Sequence, residues 1–208
     1  MFVDKRAWLW LSLIVLGLVG FTVFKFIRFG GSSDGGPKQA PITIKQHSDN
    51  FNNSILKTMA AYFEMKSAFV EDDSLKAKEA CRKMIALADS IDLGELKKDT
   101  AGIYVTDSLS LENIKANAKS LLQQPNITEM RKDFSMVNEN LYPFLKAIHY
   151  KGPKVYWQNC PMAFGEDKEA NWISNTEEIF NPYLGKHHPE FKATMVGCGE
   201  VKDSIIAQ

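Results

Sequence analysis

The sequence predicts a mainly α protein, an antiparallel bundle of about four helices closed by a small C-terminal cap of loops and strand. Three observations predict it. Apolar residues recur at the helical period in four segments between Phe51 and Ile148, each preceded by residues able to cap a helix. The connections between those segments are short, which favours antiparallel neighbours. After Gly152-Pro153 the helical period ends, and Val155-Tyr156-Trp157 reads as a strand.

The chain begins with an apolar run. Between Ala7 and Phe24 there is no charged residue, and such a run would rise about 27 Å as a helix, close to a hydrocarbon core of roughly 30 Å. Trp8 and Trp10 stand near one end, and Lys5, Arg6, Lys25 and Arg28 flank the run, where aromatic rings and snorkelling cations favour a membrane interface. Residues 7–28 are therefore expected to form a transmembrane anchor behind a short tail at 1–6. A cleaved signal peptide competes with it, but the run is long for one and no A-x-A follows. The flanking cations are balanced, so charge alone does not set the orientation. A Gly/Ser-rich tether over 29–46, including Gly30-Gly31-Ser32-Ser33, leads to the working domain at 47–208.

Within that domain, Phe51, Ile55, Met59, Phe63 and Phe69 mark a first helix over 51–70, with Ser48, Asp49 and Asn50 as capping candidates. Asp72, Asp73 or Ser74 opens a second, with Ala77, Cys81, Met84, Ala88 and Ile91 on one face until Gly94 interrupts it. Ser110 opens a third, which places Leu111, Ile114, Ala118, Leu121 and Leu122 inward until Pro125. Asn126-Ile127-Thr128-Glu129 has the spacing of a capping box before Met130, Phe134, Val137, Leu141, Leu145 and Ile148. Pro143 is expected to kink this fourth helix or end it early. Cys81 on the second apolar face reads as an inert buried thiol.

Composition narrows the function classes. The 25 Lys and Arg balance 25 Asp and Glu, so the basic footprint of a nucleic-acid binder is missing. No G-x-S-x-G elbow, P-loop or H-E-x-x-H occurs, and the expectation is a protein that is not an enzyme.

The chemistry concentrates after Gly152. Cys160-Pro161-Met162 and Met195-Val196-Gly197-Cys198-Gly199 each place a methionine within three residues of a cysteine. Thiolates and thioethers are soft ligands that suit Cu(I) or Ag(I). Cys160, Met162, Met195 and Cys198 are thus the candidate metal residues. Three alternatives stand beside this reading: a Cys160–Cys198 disulfide, methionines that merely fill the cap, and a zinc site using His187 or His188. Zinc fits less well, because no paired C-x₂-C or H-x₃₋₅-H spacing is present. Trp157, Phe164, Trp172, Phe180, Tyr183 and Phe191 are expected to form the core of the cap, with His187-His188 in an exposed turn and His47 and His149 solvated or capping near helix ends.

The ordered series Met130-Arg131-Lys132-Asp133-Phe134, Cys160-Pro161-Met162-Ala163, Trp172-Ile173-Ser174, Asn181-Pro182-Tyr183-Leu184-Gly185 and Met195-x-x-Cys198-Gly199-Glu200 resembles the bacterial domain-of-unknown-function family numbered 3347. Tyr62 to Val70 fits the N-terminal half of that family. Its members stand alone behind an export signal or are fused to adaptor subunits of heavy-metal efflux pumps. The resemblance implies envelope metal handling, with an efflux adaptor or pump as partner and the soluble domain in the periplasm of a bacterial inner-membrane protein. It implies no known reaction. The chain departs from the family in Leu184, where an aromatic is common, and in the insertion-like stretch from Lys186 to Phe191.

Overall fold

A computed structural model describes residues 47–98 and 103–206. Helix α1 spans Asp49–Val70, α2 Ser74–Asp89, α3 Ile103–Gln123 and α4 Ile127–Ala147, followed by strands β1 Val155–Cys160, β2 Ala170–Ser174 and β3 Glu200–Ile205. The mainly α bundle with a small C-terminal cap is the architecture observed. Consecutive helices pack on one another, and α4 also packs against β2.

Caps fix where the helices start. The Ser48 hydroxyl accepts from the Phe51 N–H, Asp73 accepts from Lys76, and Asn126 accepts from Glu129; each satisfies an amide that the first helical turn leaves without a partner. Ser48 is itself held by Glu95, which accepts its N–H at 3.0 Å. That contact ties the start of α1 to the 3-10 turn Leu93–Lys98, where Leu93 and Leu96 turn inward. His47 is buried, and its Nε2 lies 2.8 Å from the Ile148 carbonyl just past α4, so it caps a helix end rather than facing solvent.

The apolar stripes meet in one core containing Met59, Met65, Phe69, Met84, Ile114, Leu121, Phe134 and Leu145, all 2 % exposed or less. Burying each such side chain contributes about 1.5–3 kcal/mol. Cys81 belongs to this core; its thiol donates to the Ala118 carbonyl, and burial pushes its pKa up to about 12. It is an inert thiol.

Two helix boundaries differ from expectation. Helix α3 begins at Ile103, seven residues before Ser110. Its inward stripe starts at Asp107, 1 % exposed, and continues through Leu111 and Ile114; the carboxylate on the core face hides the first turns from an apolar count. Helix α4 runs through Pro143 to Ala147. Pro143 is exposed, as is Glu139, whose carbonyl loses its amide partner to the ring. Water can take that place, so the proline is tolerated.

Among the described residues no helix is long and apolar enough to cross a membrane. The placement as a single-pass protein of a bacterial inner membrane, with its soluble domain in the periplasm, is corrected on that finding. Each described helix has one apolar stripe, spent on the core, and an exposed polar side. The run at 7–28, the tail at 1–6 and the tether at 29–46 lie outside the described residues.

Candidate functional site

The cap is a three-stranded antiparallel sheet in the order β2-β1-β3. Strand β1 is central: Cys160 pairs with Ala170 of β2, and Asn159 pairs with both Asn171 of β2 and Glu200 of β3. The expected strand at Val155 to Trp157 is the start of β1. Strands β2 and β3 were not expected. Strand β3 is mostly exposed and charged, so no alternation marks it in the sequence.

The register brings the cysteines together. Cys160 ends β1 and is fully buried, while Cys198 sits in the loop that enters β3 and is half-buried. Their Sγ atoms are 2.8 Å apart, and both are free thiols. Asn181 positions the loop: its N–H donates to the Val196 carbonyl and its Nδ2 to the Cys198 carbonyl, each at 2.8 Å. Its Oδ1 accepts from the Tyr183 and Leu184 amides. One buried amide thus holds two turns in register. The Cys198 N–H donates to the Met195 carbonyl, which closes the turn from inside.

Gly199 makes the approach possible. Its φ is +145°, and a Cβ there would lie 2.7 Å from the Asn159 carbonyl oxygen and 2.8 Å from the Trp172 ring. Both the backbone angle and the space require glycine. Gly199→Ala is expected to lower stability by about 2–3 kcal/mol and to move Cys198 away from Cys160. Urea unfolding and the rate of disulfide formation check the two effects; unchanged values would mean that the loop does not depend on this close approach.

The thiols lie in an apolar, aromatic setting. Trp172 is fully buried, and both Trp172 and Phe164 meet the Tyr183 ring edge-on. Trp157 stacks on Tyr142 of α4; Trp157, Phe164 and Phe191 are partly buried against the core. Burial, followed by the hydrogen bond with Cys160, pushes the Cys198 thiol up to about 12. A reactive thiol needs the opposite, an electropositive surrounding that lowers its pKa.

Met162 follows β1 in a turn closed by the Gly165 N–H on its carbonyl, and Met195 ends the 3-10 turn Ala193–Met195. Both are half-buried and pack against the core, as Cys198 does. His187 is exposed and donates its N–H to Asp72; His188 stacks on Phe191, its Nδ1 facing the Glu190 and Phe191 amides. Among the described residues no three His, Cys, Asp or Glu side chains converge on one point.

A buried polar network joins this cap to the bundle and carries no apolar signal in the sequence. The Tyr62 hydroxyl donates to Asn138 and accepts from the Ile173 N–H at 3.0 Å. Asn138 donates to the Tyr183 hydroxyl, which donates to the Asn171 carbonyl. Burial raises both tyrosine pKa values far above the usual range, so both hydroxyls stay neutral donors. The trace that could have revealed the network is positional. Arg131, Asn138 and Leu145 recur every seven residues along the inward face of α4.

Residues 58–151 match the model of the family described as Protein of unknown function (DUF3347). The match supports the family resemblance of the sequence. The matched stretch takes in most of α1 and all of α2, α3 and α4, and stops before β1. Cys160, Met162, Met195 and Cys198 therefore lie beyond it. No curated protein and no solved structure matches the chain.

Proposed function

We propose that this chain is a non-catalytic protein-interaction module whose cap is locked by a disulfide between Cys160 and Cys198. The observation that carries this reading is the 2.8 Å approach of two sulfurs 38 residues apart in sequence. Closure needs the sulfurs to move only to about 2.05 Å. The step balances by thiol–disulfide exchange: a small disulfide accepts two electrons and two protons from the Cys160 and Cys198 thiols and leaves as two thiols. The high pKa of Cys198 supports a structural bond over a catalytic one. Closing a loop of this length stabilises by about 4 kcal/mol in the chain-entropy picture. Reduction of the oxidised protein is expected to lower its thermal midpoint by about 10 °C, with Cys160→Ser insensitive to reductant. An oxidised protein whose midpoint ignores reductant would contradict the reading.

A second reading has its own support. Met162 and Met195 each lie within three residues of one of the cysteines and are partly buried against the same core, and the donor set is the soft one that Cu(I) or Ag(I) prefers. Two metal–thiolate bonds of about 2.3 Å at an open angle need sulfurs about 3.5 Å or more apart. Cys160 and Cys198 would therefore have to part slightly, and the half-buried loop carrying Cys198 is the side able to yield. Such a site would serve buffering or delivery of the ion. Anaerobic Cu(I) titration against a competing chelator tests it: one ion per reduced chain, retained in Cys81→Ala and lost in Cys160→Ser, is the expected result. Failure of reduced protein to compete with the chelator would remove this reading and leave the disulfide.

A further inference from the structure

Lys66 is a cation in the wrong place for structure alone. It lies in α1, only 4 % exposed, and its Nζ has one hydrogen-bond partner, the neutral Ser174 hydroxyl at 3.3 Å. No described carboxylate lies within ion-pair distance of it. An ammonium has three donors, and a buried charge is normally paired. Ser174 offers little more, because its oxygen also accepts from the Thr176 N–H.

The missing partner has a place to sit. Lys66 lines a cleft of about 260 Å³, together with Val70, Glu71, Thr176, Phe180 and Lys186. Its far side is held firmly. Buried Gln158 donates to the carbonyls of Thr176, Glu177 and Glu178, and the Lys186 N–H donates to the Val70 carbonyl at the end of α1. The charges are uneven. Lys186 pairs with Glu71, which leaves Lys66 as the uncompensated one.

We propose that this cleft binds a small organic monoanion, with a carboxylate on Lys66 and a short apolar body against Val70 and Phe180. The Thr176 hydroxyl, which donates to the Glu178 carbonyl at 3.3 Å, turns from that long bond to become the second donor to the carboxylate. Glu71 at the same cleft repels a second negative charge and so selects against phosphate dianions. The volume falls below that of pockets for drug-sized ligands, which limits the body to a few carbons. Burial already pulls the Lys66 pKa down to about 8, as expected of a cation waiting for its anion. The inference stands apart from the sulfur pair and shares none of its residues.

The test uses butanoate as probe and inorganic phosphate as comparison, followed through the backbone amide NMR shifts of residues 174–176 in the full chain. Saturable shifts with butanoate at about millimolar affinity are expected, weakened at least about tenfold in Lys66→Met and unchanged in Lys83→Met. Lys83 is an exposed lysine paired with Glu64. Folding of Lys66→Met is checked by its thermal midpoint. Absence of saturation, equal binding by folded Lys66→Met, or phosphate binding more tightly than butanoate would each overturn the proposal.

Discussion

Arg131→Met is expected to lower the stability of the domain by about 3–5 kcal/mol, the usual cost of breaking a buried ion pair from one side. The guanidinium of Arg131 joins three parts of the chain that are distant in sequence. Its Nε donates to the Pro182 carbonyl at 2.7 Å, and its Nη2 to the Phe69 carbonyl at 2.8 Å and to Asp72 Oδ1 at 2.6 Å. The Arg131 and Asp72 side chains are 5 % and 14 % exposed, so water cannot readily replace what is lost. Removing the guanidinium strands a carboxylate and two carbonyls, and each unpaired buried group carries a desolvation cost. The second oxygen of Asp72 accepts the His187 N–H at 2.7 Å. Gly185, at φ +60°, passes so close that a Cβ would lie 2.4 Å from Asp72 Oδ2. The turn after α1 and the segment from Asn181 to His187 are therefore organised around this one ion pair. Urea unfolding of Arg131→Met measures the loss. Adding Asp72→Asn should recover part of it, because the stranded charge is then gone. A loss below about 1 kcal/mol would mean that the pair is open to solvent and holds little.

Lys66→Met is expected to act in the opposite direction, raising stability at neutral pH by about 3 kcal/mol. Burial lowers the Lys66 pKa from its ordinary 10.5 to about 8, so the folded protein binds this proton less tightly than the unfolded chain does. Below pH 8 both forms are protonated, and the full cost of burying the charge is present. Between pH 8 and 10.5 the unfolded chain holds the proton while the folded one releases it, and stability contributed by this group rises with pH. Above 10.5 both are neutral and the cost is gone. Lys66→Met should remove that rise, so that its advantage is largest near pH 7 and fades by about pH 10.5. Denaturant unfolding at several pH values checks this. A destabilised Lys66→Met, or one with the pH profile of the wild type, would mean that the ammonium is solvated or paired. A residue that reduces stability without binding anything is hard to explain, which connects this result to the carboxylate cleft.

The bundle was legible because its evidence is periodic. The stripe Met130, Phe134, Val137, Leu141 and Leu145 and the cap at Asn126 read directly as α4, and a three-residue turn between α1 and α2 leaves antiparallel packing as the simple outcome. What escaped was polar. Asp107 stands where an apolar residue would have marked the start of α3, and Pro143 reads as a break only if its exposed position is unknown. In the cap, the two cysteines could be named from sequence, since clustered sulfur is unusual. Their meeting depends on β3 pairing with β1, and β3 is a charged edge strand with no alternation to announce it. Asn181, which holds the Cys198 loop through its side-chain amide, looks in the sequence like any turn asparagine. Lys66 and Ser174 are 108 residues apart, and nothing local to either predicts that one will be the other's sole partner.

The sulfur pair is tested most directly by peptide mapping after equilibration in a glutathione redox buffer and trapping of free thiols by alkylation. The expected map contains one cross-linked species joining the Cys160 and Cys198 peptides, with Cys81 unbridged in every sample. Recovery of Cys160 and Cys198 as separate alkylated or glutathione-bearing peptides under oxidising conditions, or a bridge that includes Cys81, would contradict the account.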